Sequence, residues 1–153
     1  MRKPALSSFS FLAIIIVFAA CSVVQSKTPN RIGLVPLGQY SLVNKNLAQD
    51  TSYMVIQNEA EFGNTFVTSA GTHKPDLSGK TAVAIVVKNA SSLQFDSADY
   101  VGTRINVYAK TCSPGSNATC NSGNVFLATI PKVGSAKSVQ FFINNSSRGT
   151  VSL

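Results

Sequence analysis

The side chains able to do chemistry are few: three cysteines, one histidine and six carboxylates in 153 residues. Cys112 and Cys120 bound a stretch, Ser113-Pro114-Gly115-Ser116-Asn117-Ala118-Thr119, that is dense in turn formers. The chain can therefore fold back there and bring the two sulfurs together across a loop tip. Two thiolates are also half of a zinc site, but no histidine or further cysteine lies nearby to complete one, so a disulfide is the preferred reading. His73 stands in Gly71-Thr72-His73-Lys74-Pro75-Asp76. With Asp76 it is the one pair from which a secreted hydrolase could build a base and its orienting group, but no serine sits in a Gly-x-Ser-x-Gly elbow. His73 is accordingly expected to be an exposed loop residue, and no catalytic residue is assigned.

The carboxylates give no stronger signal. Glu59 and Glu61, two apart on a helix, point about 200° from each other and are badly placed to share a substrate. Asp96 and Asp99, in Phe95-Asp96-Ser97-Ala98-Asp99-Tyr100, lack the regular series of oxygen ligands of a calcium loop and read as a solvated turn. Phosphate-cradling glycine loops, dinucleotide fingerprints and His-Glu-x-x-His are absent, so neither a metal nor a cofactor is expected. Tyr100 and Tyr108 could stack on a sugar, yet the chain has no tryptophan, and the two are expected to pack on a sheet with wet hydroxyls. The Asn-x-Ser/Thr triplets at Asn89, Asn117, Asn144 and Asn145 read as ordinary turns.

Export is the clearest message of the sequence. Met1-Arg2-Lys3 is a short cationic start, and Phe11 to Ala20 runs without a polar side chain. Even extended to Val24, the apolar stretch covers roughly 21 Å of a ~30 Å hydrocarbon core, which suits a cleaved signal better than a spanning helix. Phe18-Ala19-Ala20-Cys21 resembles the lipobox of bacterial lipoproteins, in which small residues precede a cysteine that is acylated on sulfur and becomes the new N-terminus. Phe18 departs from the aliphatic residue usual there. Ordinary signal peptidase could instead cut after Ser22 and discard Cys21. Either route removes the third cysteine from the odd count and leaves Cys112 and Cys120 as a pair. Loss of Arg2 and Lys3 lowers the net charge by two, from +7 to +5. The remaining Lys and Arg are scattered singly, which argues against a nucleic-acid footprint and admits an anionic glycan, a lipid surface or an acidic exported protein.

Residues 1–20 thus read as a signal peptide, 21–30 as a polar tether, and 31–153 as one β-rich domain large enough for its own core. Strands are expected at Ile32 to Val35 (stopped by Pro36), Tyr40 to Val43, Ser52 to Gln57, Thr81 to Lys88, Arg104 to Lys110, Val125 to Ile130 and Ser138 to Asn144. Ala82 to Val87 is apolar on both faces and reads as a central strand covered on both sides. Asn58 can cap a helix whose third residue is Glu61, with Phe62 and Phe66 four apart on the buried face. Thr72 to Ser78 and Pro131 to Ala136 read as loops, and the last three strands as a meander of hairpins tied first by Cys112 and Cys120. The expected architecture is mainly β: an antiparallel β-sandwich or curled sheet with one short helix.

From Tyr53 onward the order of elements resembles exported accessory domains related to the protease complex subunit PrcB. The features in common are Tyr53-Met54-Val55-Ile56 running into a helix with Glu61-Phe62, the strand Val83 to Val87, and Phe126 to Lys132 before a final strand at Val139 to Ile143. The Gly-Gly-Tyr segment of that family is missing, and no functional residue carries over. The resemblance implies a non-enzymatic domain that binds another exported protein. Together these readings point to a lipid-anchored binding or assembly module of the cell envelope. A structural or adhesion protein joining through an edge strand, and a hydrolase using His73, are the alternatives. The intact mass of the membrane-extracted protein checks the anchor: diacylglycerol on Cys21 is the expected result, and a chain beginning at Val23 is the mass of a freely secreted protein.

Overall fold

The computed structural model describes residues 28–38, 40–68, 74–113 and 120–153. In chain order the elements are β1 (Asn30–Ile32), β2 (Val35–Leu37), β3 (Tyr40–Leu42), β4 (Thr51–Ile56), α1 (Glu59–Thr65), β5 (Phe66–Thr68), β6 (Lys80–Val101), β7 (Arg104–Thr111), β8 (Asn121–Pro131), β9 (Ser138–Ile143) and β10 (Ser146–Ser152).

One strand organises the rest. β6 runs for 22 residues and belongs to two layers. Its first half, Lys80–Val86, pairs with β8 along one edge and with β4 along the other; its second half, Leu93–Val101, pairs with β7, and Ala98 to Tyr100 also pair with β1. β2 extends the first layer beyond β8, and β9 and β10 extend the second beyond β7. Because side chains alternate along a strand, the first half of β6 feeds two cores at once. Val83 and Ile85 face the second layer, where they meet Leu93, Phe95 and Ala98 of the other half together with Ile105, Val107, Phe126, Val139 and Phe141. Ala82, Ala84 and Val86 face the opposite way, against Ile56, Phe62, Phe66, Leu77 and Leu127. The expectation of a central strand covered on both sides holds.

The second core is closed by α1 and by the two-stranded sheet of β3 and β5. Asn58 caps α1, its side-chain oxygen accepting the Glu61 N–H at 2.8 Å, while the Glu61 carboxylate takes the Gln57 N–H at 3.4 Å. A helix of seven residues is unstable alone and depends on what it buries. Phe62, 1% exposed, packs its ring 5.3 Å from those of both Phe66 and Tyr40. Phe66 already lies in extended backbone and opens β5, so the aromatic pair links helix to strand.

The mainly β, curled architecture with one short helix is as expected, and several local expectations are corrected. Pro36 does not stop a strand but lies inside β2, pairing with Ala128 on an outer strand, where a missing N–H is tolerated. Asp96 and Asp99 belong to β6, not to a turn; Asp96 is the one extra residue where the β6–β7 register shifts between Phe95 and Ser97. The closing strands are not a meander. β7 and β8 flank β6 on opposite edges, and β7 pairs in parallel with β9, so the chain crosses between layers on either side of β8.

A close approach between β10 and β4 completes the curl. A Cβ built on Gly149 would sit 2.5 Å from Cδ2 of Tyr53, whose ring stacks at 5.1 Å on Phe141. The ring has no free end to swing away. Gly149→Ala is therefore expected to lower stability by about 1–3 kcal/mol, read as a lower denaturant midpoint at unchanged slope. Thr150→Ala, exposed on the next residue, should stay within about 0.5 kcal/mol.

Candidate functional site

Where β6 turns from one layer into the other, its ladder with β8 is interrupted. Val86 pairs with Val125, and the next pairs are Ser91 with Gly123 and Ser92 with Ser122, so β6 carries three more residues than its partner across the gap. The carbonyls freed there are taken up by a side chain: Asn124 Nδ2 donates to Val87 O at 3.1 Å and to Lys88 O at 2.9 Å. On the other edge the Lys88 N–H donates to Asp50 O at 2.9 Å. The Val87 and Lys88 carbonyls and the Lys88 N–H are thus hydrogen-bonded at the bend although the β8 ladder is interrupted there.

The interruption opens a cleft of about 730 Å³, within the range of small-molecule sites. One wall is the bend itself, Val86 to Lys88; a second is the start of β8, Cys120 to Val125; the third is the β2–β3 region, with Leu37, Leu42, Lys45 and Leu47. Leu37, Leu42, Leu47 and Val125 are the half-buried flank of the second core, so the cleft has an apolar floor continuous with that core. No Asp or Glu lines it. Its cations are Lys45 and Lys88, both exposed and neither in a salt bridge among the described residues, where Lys110 with Asp96 at 2.8 Å is the ion pair. Burial raises the Tyr40 phenol above its ordinary value, so it lines the cleft in the neutral form at physiological pH.

Cys112 and Cys120 are joined, with their Cα atoms 6.2 Å apart. The bond holds the entrance to β8 where β7 ends: the Cys112 N–H donates to Ser92 O at 3.0 Å, and the hydroxyls of Ser92 and Ser122 lie 2.9 Å apart. Cys120 is itself a cleft residue, so the disulfide anchors one wall.

The other sequence-predicted residues are not brought together. Cys21, His73 and Asn117 lie outside the described residues. Asp76, the proposed partner of His73, accepts the Ser78 N–H at 2.8 Å and so caps a local turn. Asp96 pairs with Lys110, while Asp99 accepts a 2.7 Å bond from Asn106 Nδ2. Tyr100 turns inward against the main core with its hydroxyl 2.8 Å from Ser135 Oγ, whereas Tyr108 lies outward, stacked at 5.0 Å on Phe142. Burial, and then the neighbouring Asp99 carboxylate, raises the Tyr108 phenol. Beside it, Asn106 Oδ1 is buried without a hydrogen-bond partner, a cost of about 1–3 kcal/mol carried by that outer face. Asn144 is a turn residue as expected: it and Asn145 adopt positive φ, and its side chain accepts the Thr111 N–H at 3.0 Å.

Sequence reasoning missed the cleft, whose lysines had counted only as scattered charge. Among the described residues no helix is long and apolar enough to cross a membrane, and no three His, Cys, Asp or Glu side chains gather as metal ligands. Compared with known protein families, curated proteins and solved structures, the chain matches none.

The disulfide closes a loop of sequence separation 8, for which the chain-entropy relation gives about 2.5 kcal/mol. The Cys112→Ser/Cys120→Ser variant should lose about that much in urea unfolding, and reductant should lower the parent protein to the variant's midpoint while leaving the variant unmoved.

Proposed function

We propose that this chain is an exported binding module of the bacterial cell envelope, held at the membrane by lipid on Cys21, and that the cleft at the bend of β6 is where it takes its ligand. The observation that carries the reading is the cleft itself: apolar floor, two ammonium groups without an ion pair among the described residues, and walls held by Asn124 and by the Cys112–Cys120 bond. Among the described residues its polar side chains are lysines, serines, asparagines and a neutral tyrosine, and none is a carboxylate. Such a lining offers recognition rather than bond-making, in keeping with the accessory role implied by the resemblance to PrcB-related domains. The disulfide suits the oxidising side of a membrane, where the signal-like N-terminus would deliver the chain.

The adhesion alternative draws less support from the sheet edges. β2 carries Pro36, and β10 carries Arg148 at a register shift between Ser147 and Gly149, features that blunt strand addition.

A photoreactive amino acid at Ser41, on the cleft wall, tests the binding reading in intact producing cells. Adducts of defined mass at Ser41, absent when the same residue replaces exposed Thr150 on β10, are the expected result. Equal adduct yields at the two positions, or none at either, would overturn the assignment of the cleft.

A further inference from the structure

We infer that the ligand of this cleft is a long-chain fatty-acid anion, its alkyl chain on the leucine and valine floor and its carboxylate at Lys45 and Lys88. The inference rests on the reading of the cleft as the binding site and names the chemistry that site selects.

The floor sets the first requirement. Leu37, Leu42, Leu47 and Val125 are each half-buried against the second core and still border the cleft. An occupant that covers them must be apolar where it lies on them, because burying a polar group there without a partner costs free energy. That weighs against an anionic glycan, whose hydroxyls need amide and carboxylate partners. The cleft contains no carboxylate, the Asn124 amide N–H groups are committed to the carbonyls of Val87 and Lys88, and among the described lining residues that leaves the Asn121 amide alone.

Charge sets the second. Lys88 has its backbone held on both sides of the bend, by Asp50 O on one edge and Asn124 Nδ2 on the other, so the root of its side chain is fixed at the cleft wall. Lys45 stands on the opposite wall, between Leu42 and Leu47. Neither ammonium is paired within the described residues, and no acid lines the cleft to compete. Two unpaired cations beside an apolar floor complement a molecule with one anionic end and a hydrocarbon tail.

The test uses the full-length processed protein in neutral phosphatidylcholine vesicles. The probe is tetradecanoate bearing a terminal diazirine, and adducts are mapped by peptide mass. Labelling is expected on the peptides carrying Leu42 to Leu47 and Asn121 to Val125, saturable, displaced by unlabelled tetradecanoate and not by tetradecanol. Lys45→Gln with Lys88→Gln, both exposed and conservative, should weaken labelling on the order of ten-fold. Labelling spread over the rest of the chain, equal competition by the alcohol, or no effect of the lysine changes would overturn the inference. Should the Ser41 cross-link in cells capture a different class of molecule, the fatty-acid assignment falls and the cleft remains a binding site; if both experiments are blank, both readings fall.

Discussion

The bend in β6 is the constraint on which the rest of the molecule depends. A strand of 22 residues is far longer than a flat sheet of this size can use, and it serves here because it changes direction between Val86 and Ser91. A bend of that kind strands backbone groups, and stranded groups are costly unless something takes their hydrogen bonds. Asn124 does so from β8, with two donations from one amide, and Asp50 does so from the β4 side. Once the bend is satisfied, the two halves of β6 face each other across a shared core, and Val83 and Ile85 bury against Leu93 and Phe95 of the same strand.

Closure follows from that geometry. Curling the sheet brings β10 over β4, and the approach is close enough that only glycine fits beneath the Tyr53 ring. The Tyr53–Phe141 contact then packs against the main core. The other face of the first layer has no second sheet half to cover it and is closed by α1 with β3 and β5. A helix of seven residues suffices there because Phe62, Phe66 and Tyr40 supply aromatic area out of proportion to its length. Where that small cover ends, the flank of the second core meets the bend, and the cleft results.

How much of this could be read from the residues differs by element for physical reasons. Ala82 to Val87 is apolar at every position, and a strand of that kind must be covered twice. The Asn58 cap is local chemistry, and it forms as local chemistry predicts apart from a one-residue shift in the return bond from Glu61. The continuation of β6 was hidden, because Lys88-Asn89-Ala90-Ser91-Ser92 has the composition of a turn and is held in the sheet by partners distant in sequence. β10 was hidden for a similar reason: Ser146-Ser147-Arg148-Gly149-Thr150 carries almost no apolar signal, and its pairing with β9 is set by the left-handed Asn144-Asn145 turn. The cysteine pair was legible from an odd count and a turn-rich spacing. The cleft was not, since Lys45, Lys88 and the Asn121 to Val125 segment become neighbours only after β6 bends and β8 crosses to the far layer.

That last point explains why hydrocarbon and charge come together at the bend. Along β6 both edges are occupied from Ala82 to Val86 and from Ala98 to Tyr100, and at the bend the Val87 and Lys88 carbonyls are already capped by Asn124. What the bend leaves exposed is hydrocarbon from the flank of a core and charge on long side chains, beside the short polar side chains of Ser41, Asn121 and Ser122. A surface of that composition has much to offer an amphiphile. The interaction that lets one strand build two layers thus also shapes the surface that its bend presents.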